Sequence, residues 1–336
     1  NSDANHLPNT CESINYDVLK SVLKNAPKNA PKTAPKTAVK QTVNIDWFET
    51  MLDVKIPLNT FFEDEIALCG GIYLLKDDKG SRFFKDVFHV YYDGENVGKL
   101  LVFPKDRKKM KDNRMSFQMA NYMLYRNEWT FVYGDLLKAL DAVHYSNTRI
   151  DAAIDGANKA YVTACYDDTS SRIGRVGKSK IKVTKDNDGQ ITKYEIGSMA
   201  SSKYGKIYNK SKVLKKYPKP YIQSFWDSSG LEIKDNEDVY RYEITLRSKY
   251  ANRYDWQRLD DSAYLASIAR TETKNWFGFF RRKKDKNRAR EMRKKIEIFD
   301  WASFGGVLLP KNIVKKSEPI YCVKIAIKQL TKEQYF

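Results

Sequence analysis

The sequence predicts an α+β protein: an antiparallel β-sheet core backed by helices, with a basic helical segment near the C-terminus. Three observations predict it. Short runs alternating between polar and apolar residues recur through the first two thirds of the chain. Two of them flank an Asp93-Gly94 turn, the signature of a two-residue hairpin. From about Asp260 the spacing changes to a helical one.

Taken in order, Thr10 to Lys24 predicts a short helix, with Val18, Leu19, Val22 and Leu23 on one side. Residues 25–43 form a linker. Its four-residue repeat, Asn25-Ala-Pro-Lys28 through Thr37-Ala-Val-Lys40, places proline where helix and sheet ladders would need an N–H. The core is read over 44–259, opening at Asn44-Ile-Asp-Trp-Phe48. Strands are expected at Val87–Tyr92, Val97–Phe103 and Trp129–Tyr133. A helix capped by Asp135 is expected over Tyr133–Val143, with Leu136, Leu137, Leu140 and Val143 facing inward.

Three further strands carry charge on a period of two. In Arg149–Asp155, Ile150, Ala152 and Ile154 share one face and Arg149, Asp151 and Asp155 the other. Lys206–Lys210 puts Lys206, Tyr208 and Lys210 together. Arg241–Arg247 puts Arg241, Glu243, Thr245 and Arg247 opposite Tyr242, Ile244 and Leu246. Residues 260–336 are read as basic helical sequence followed by a strand at Ile320–Ile327. Arg281 to Lys295 holds ten Lys/Arg and two acids, which suits a basic helix anchored by Phe279 and Phe280 at one end.

The composition narrows the function. A 336-residue chain that is 42% hydrophobic can bury a core, so global disorder is excluded. Apolar runs such as Leu100–Phe103 fall far short of the ~20 residues of a membrane helix, and no membrane partner is expected. Asn1 to Thr10 is polar, so no secretory leader is expected there, and the absence of an initial Met predicts a native N-terminus further upstream. A net charge of +18 points to a polyanion, foremost DNA or RNA. Cys11, Cys69, Cys165 and Cys322 are too scattered for a zinc site or disulfide framework, which fits a reducing cytoplasm. Three histidines exclude a multi-histidine metal site.

If the three charged strands share a sheet, Asp151, Asp155 and Glu243 converge near Tyr208, with Lys210, Arg241 and Arg149 close by. Three carboxylates need their repulsion offset, and Mg²⁺ or Mn²⁺ suits oxygen ligands. A phenol near lysines and a metal is a nucleophile for phosphate, and its ester with DNA can be resealed. The plainer reading is a solvated sheet face of cross-strand ion pairs. Tyr204 falls in an expected turn, Ser201–Gly205. The loop Ser170–Lys182 carries Arg172, Arg175, Lys178, Lys180 and Lys182 and can track a DNA backbone. His144 reads as structural or DNA-contacting, and Trp226, Trp256 and Trp276 as core.

The ordered set Ile45-Asp-Trp47, Arg149-x-Asp151-x-x-x-Asp155, Ile196-Gly-Ser198 with Ser201, Ile207-Tyr-Asn-Lys210 and Arg241-Tyr-Glu243 resembles the replication initiation factor family. These are rolling-circle plasmid and phage initiators and nicking relaxases of integrative elements. The resemblance spans about Asn44 to Lys249. It implies a bacterial cytoplasmic DNA strand transferase in which Tyr208 cuts one strand at an origin, keeps the 5′-phosphate and frees a 3′-OH. It implies Asp151, Asp155 and Glu243 as ligands of Mg²⁺ or Mn²⁺, and Lys210 at the phosphate or phenolate; Arg241 is read as a further catalytic residue beside them. Arg149, Arg172, Arg175, Lys178, Arg281, Arg282, Lys283, Lys284 and Arg288 would bind DNA. A homodimer and a helicase or other replication or transfer proteins are the implied partners. The rival readings are a non-catalytic nucleic-acid-binding accessory or packaging protein and a recombinase with a 3′ linkage.

Overall fold

In a computed structural model of the chain, residues 41–156, 173–176, 179–187, 191–233, 237–274, 276–283 and 292–296 are described, with 162, 189 and 309. The chain divides into two units, Asn1–Ala38 and Val39–Phe336, and every described residue belongs to the second. The helix expected at Thr10–Lys24, most of the linker and the strand expected at Ile320–Ile327 lie outside the described residues. The linker's last residues, Thr42 and Val43, already belong to the first strand.

The strands are β1 (Thr42–Val54), β2 (Glu65–Ala67), β3 (Ile72–Asp77), β4 (Phe84–Tyr92), β5 (Glu95–Pro104), β6 (Arg114–Met119), β7 (Ala142–Asp155), β8 (Ile173–Val176), β9 (Ile181–Lys185), β10 (Ile191–Ile196), β11 (Lys203–Asn209), β12 (Tyr240–Arg247), β13 (Gly278–Lys283) and β14 (Met292–Ile296). Eleven of them form one sheet in the order β2-β3-β4-β5-β6-β1-β7-β12-β11-β10-β9. The other three form a small sheet, β14-β13-β8. Neighbouring strands pair antiparallel throughout. The α+β expectation of an antiparallel sheet with helices is what the chain forms. The β4–β5 hairpin turns on Asp93 and Gly94, both at positive φ (47° and 84°), as a two-residue primed turn requires.

The helices are α1 (Trp129–Ala139), α2 (Lys210–Lys216), α3 (Pro220–Ser229) and α4 (Ser262–Thr273). One sheet face is apolar: Ile45, Phe48, Ile150, Ala152, Ile154, Ile207, Tyr242, Ile244 and Leu246 are all fully buried. Each full burial of a large aliphatic side chain stabilises the fold by about 1.5–3 kcal/mol. α1 covers this face, with Trp129 and Tyr133 5.1 and 5.2 Å from Phe48 between ring centroids. So does α4, which packs on β1 and β7 and places Thr273 2.9 Å from the Tyr242 hydroxyl. Two termini are set locally. Asp261 caps α4 by accepting from the N–H groups of Ala263 and Tyr264. α3 starts on Pro220 and ends on Gly230 at φ 72°.

Several local expectations are corrected. Trp129–Tyr133 is not a strand but the start of α1, because Trp129, Val132, Tyr133 and Leu136 form a helical stripe and are all buried. Asp135 therefore lies inside the helix rather than at its cap, accepting from Lys138 at 2.9 Å and from the Tyr92 hydroxyl at 3.2 Å. Leu140 ends α1, and Val143 belongs to β7. Where residues of the basic helix expected over Arg281–Lys295 are described, they form a strand pair instead: β13 carries Arg281, Arg282 and Lys283, and β14 carries Arg293, Lys294 and Lys295. A charge run without an apolar stripe gives a helix nothing to bury, whereas strand pairing is satisfied by the backbone alone. The expected loop Ser170–Lys182 contains two strands, β8 with Arg175 and the start of β9 with Lys182. Lys284, Arg288, Arg172 and Lys178 lie outside the described residues. Arg149 and Lys206 sit in β7 and β11 as expected, but Lys210 opens α2 instead of ending a strand.

Candidate active site

The polar face of the sheet is built by register. Tyr208 pairs with Arg241, and Arg241 with Asp155. In the next row Lys206 pairs with Glu243. In the row beyond, Tyr204 pairs with Thr245, and Thr245 with Asp151. Antiparallel partners point to the same side, so the period of two in three separate strands becomes one two-dimensional array of acids and bases. The register thus brings Tyr208, Arg241, Asp151, Asp155, Glu243 and Arg149 to one face, and Lys210, at the start of α2, sets its ammonium 5.8 Å from the Tyr208 ring.

Arg241 is the centre of this array and is 0% exposed. Its Nε and Nη2 donate to the two Asp155 oxygens, each at 2.6 Å. Nη1 donates to Asp46 at 2.9 Å and to the Tyr125 hydroxyl at 3.1 Å. Trp226 closes the group from α3, its indole N–H 2.7 Å from Asp155. Tyr125 also donates to Asp46. Burial opposes ionisation of Asp46, but Arg241, Lys210 and the Tyr125 hydrogen bond outweigh it and hold the carboxyl well below its usual range. Arg241 was expected among the catalytic residues. Its burial and its engagement with two carboxylates make it a residue that positions the floor of the site.

Tyr208 is 8% exposed and donates to Glu243 Oε2 at 3.1 Å. The Lys206 ammonium is 2.7 Å from Glu243 Oε1 and 5.2 Å from the centre of the Tyr208 ring. The Lys210 ammonium is 5.8 Å from the same ring. Burial, then the Glu243 charge, push the phenol well above its ordinary value, so the resting site holds it protonated. Glu243 is raised too, by burial and by Asp46 and Asp151, with Lys206 opposing. Lys210 is lowered to about 8 by burial and by repulsion from Arg241.

The donor set does not fit the carboxylate-held Mg²⁺ or Mn²⁺ expected on Asp151, Asp155 and Glu243. Among the described residues no three His, Cys, Asp or Glu side chains come together as an ion would need. Asp155 is taken by Arg241 and Trp226. Asp151 is held by Arg149, whose Nε and Nη2 lie 2.9 and 2.5 Å from its oxygens. Glu243 is shared between Lys206 and Tyr208. The repulsion among the acids is offset by Arg149, Lys206, Lys210 and Arg241.

Tyr204 is not in a turn. It lies in β11 on the Tyr208 face, buried, donating to Glu195, and burial pushes its phenol up. Sequence reasoning missed Tyr125 and Glu195, which no local pattern marks, and gave Asp46 no role although it stands inside the Ile45-Asp-Trp47 motif. Arg175 and Arg281–Lys283 lie in the small sheet, apart from this array in strand order.

No family model matches the chain, and no curated protein does. Among solved structures, a rolling-circle replication initiator protein from Geobacillus stearothermophilus is similar at 18% identity and a TM-score of 0.44, over 79% of this chain and 95% of that one.

Proposed function

We propose that the chain is a DNA nicking-joining enzyme with Tyr208 as its nucleophile. One observation carries this reading: the Tyr208 hydroxyl donates to a buried carboxylate, Glu243, and the Lys206 and Lys210 ammonium groups stand 5.2 and 5.8 Å from its ring. A phenol with an intrinsic pKa of about 10 attacks phosphorus only as its proton leaves. Glu243 Oε2 is in place to take that proton. The tyrosyl O–P bond then forms as the P–O3′ bond breaks. Lys210 supplies positive charge to the phosphate, and the departing 3′ oxygen takes its proton from solvent water. The products are a 5′-phosphotyrosyl strand and a free 3′-OH, and the reverse sequence rejoins them. The +18 charge supplies the affinity for DNA.

None of these steps passes through a metal ion. A required ion would have to take the place of the Lys206 ammonium on Glu243, and nicking in EDTA followed by added Mn²⁺ measures whether one is needed.

The test uses origin-bearing supercoiled DNA from the parent element. The protein should form a covalent adduct whose labelled peptide contains Tyr208. Tyr208→Phe should abolish the adduct while DNA binding stays nearly intact, because the ring and the basic groups that hold phosphates are kept. An adduct that persists in this variant overturns the assignment. A second reading, a nucleic-acid-binding accessory or packaging protein, is favoured by the burial of Tyr208 and predicts binding with no adduct at all.

A further inference from the structure

We propose that the cleft between the 3-10 turn Met123–Tyr125 and α3 holds an unpaired nucleobase of the single strand next to the cut. The proposal rests on the nicking reading for its substrate, DNA. The cleft is a cavity of about 570 Å³ lined by Tyr122, Tyr125, Arg126, Tyr221, Ser224 and Phe225, among others. That volume lies in the range of small-ligand sites.

Its walls are aromatic and fixed in place. Tyr125 lies 5.3 Å from Tyr221 and 5.4 Å from Phe225, and Tyr122 lies 6.4 Å from Tyr221, all between ring centroids. Each tyrosine hydroxyl is held by the protein: Tyr122 donates to the Asn96 carbonyl at 2.6 Å, Tyr221 to Asn121 at 2.6 Å, and Tyr125 to Asp46. With the hydroxyls engaged, the ring carbons of the half-buried Tyr122, Tyr221 and Phe225 are the surface offered to a ligand, over buried Tyr125. Tyr122, Tyr221 and Phe225 are only half-buried, and Ser224 is exposed, so the cleft opens to solvent. Rigid ring faces are what an unpaired base stacks on, with little ordering cost to the protein.

Two further observations favour a nucleotide over an apolar peptide. The adjoining α2 presents exposed Lys212, Lys215 and Lys216, and Lys219 follows it beside Tyr221, its ammonium 5.8 Å from the ring. Lys219 stands at the cleft itself, and the three lysines of the helix just before it in the chain add positive charge for a phosphate backbone. The floor of the cleft is also part of the candidate active site. The Tyr125 hydroxyl is 3.1 Å from Arg241, and Arg241 is the register partner of Tyr208. A base seated on the half-buried Tyr221 and Phe225 rings, above Tyr125, would therefore fix the register of the strand at Tyr208.

The test compares a fluorescein-labelled thymidine homopolymer with the same sugar-phosphate chain made abasic, bound to the whole protein and read by anisotropy. The base-bearing strand should bind more tightly. Phe225→Ala and Tyr221→Ala should each weaken it about tenfold, the usual loss for one stacked base, and leave the abasic chain unchanged. Ser224→Trp, at an exposed position, should fill the cleft and do the same without touching the core. Tyr221→Phe keeps the ring and should keep the affinity. Equal binding of both chains by the wild type, or equal losses on both in the variants, overturns the proposal. The two readings fail separately. Base-selective binding with no covalent adduct sinks the nicking reading and leaves the cleft. An adduct without base selectivity sinks the cleft alone.

Discussion

Lys210 shows how one buried side chain can set a pH limit. Only 4% exposed and repelled by Arg241, it holds its proton up to a pH of about 8, against a usual value above 10. If its ammonium supports the phosphate, nicking should fall as pH rises through 8, because the charge leaves the site. Lys210→Arg keeps the charge at any accessible pH, so the alkaline fall should move upward in that variant while the reaction at pH 7 slows through altered geometry. A pH profile of the single-turnover rate checks this, and an unchanged alkaline limb in Lys210→Arg would remove Lys210 from the reaction. Tyr208 differs from Lys210 in kind. Burial and Glu243 both favour its neutral form, so attack by this phenol would need proton transfer in the same step rather than a standing phenolate.

Among the elements, α4 owes its start to one side chain. Asp261 accepts from two otherwise unpaired N–H groups, at 2.8 and 3.2 Å. Asp261→Ala should cost about 1 kcal/mol of unfolding free energy in a denaturant titration. An effect near zero would mean that the packing of α4 on β1 and β7 sets its terminus alone. The strands show which local signals sufficed. The Asp93-Gly94 turn was legible because its residue types tolerate positive φ. The alternation in β7 and β12 was legible because one face is apolar and buried. Trp129–Tyr133 was misread because five residues are too few to separate a period of two from a helical stripe. The pair β13–β14 was misread because a run of like charges carries no period at all.

At the scale of the molecule, the polar cluster around His144 couples stability to pH. The Tyr133 hydroxyl is 2.8 Å and the Thr50 hydroxyl 3.1 Å from Nδ1. The ring packs by Trp256 at 5.9 Å, and burial lowers its pKa to about 4. The unfolded chain takes up a proton near 6.5, the folded one not until about 4. Between these values the unfolded state binds more protons, so stability falls as pH drops from 6.5 to 4 and is complete above 6.5. The Tm of the wild type should therefore fall more from pH 7 to pH 5 than that of His144→Gln. Equal falls would show that His144 does not contribute.

Much of the site was visible before folding. The chain alone determined that a sheet of alternating strands would place Tyr208, Arg241, Glu243, Asp151 and Asp155 on polar faces, because a strand's period of two is local geometry. It also determined the basic charge that suits a polyanion. Only the tertiary structure decided which carboxylate faces which cation. Strand order and register lie outside any local pattern, and they set Arg241 on Asp155, Lys206 on Glu243 and Arg149 on Asp151, where a metal had been expected to balance the charge. Tyr125, Asp46 and Trp226 meet that array from a turn, a strand and a helix distant in sequence. Their place is set by packing, which spacing along a single chain does not encode.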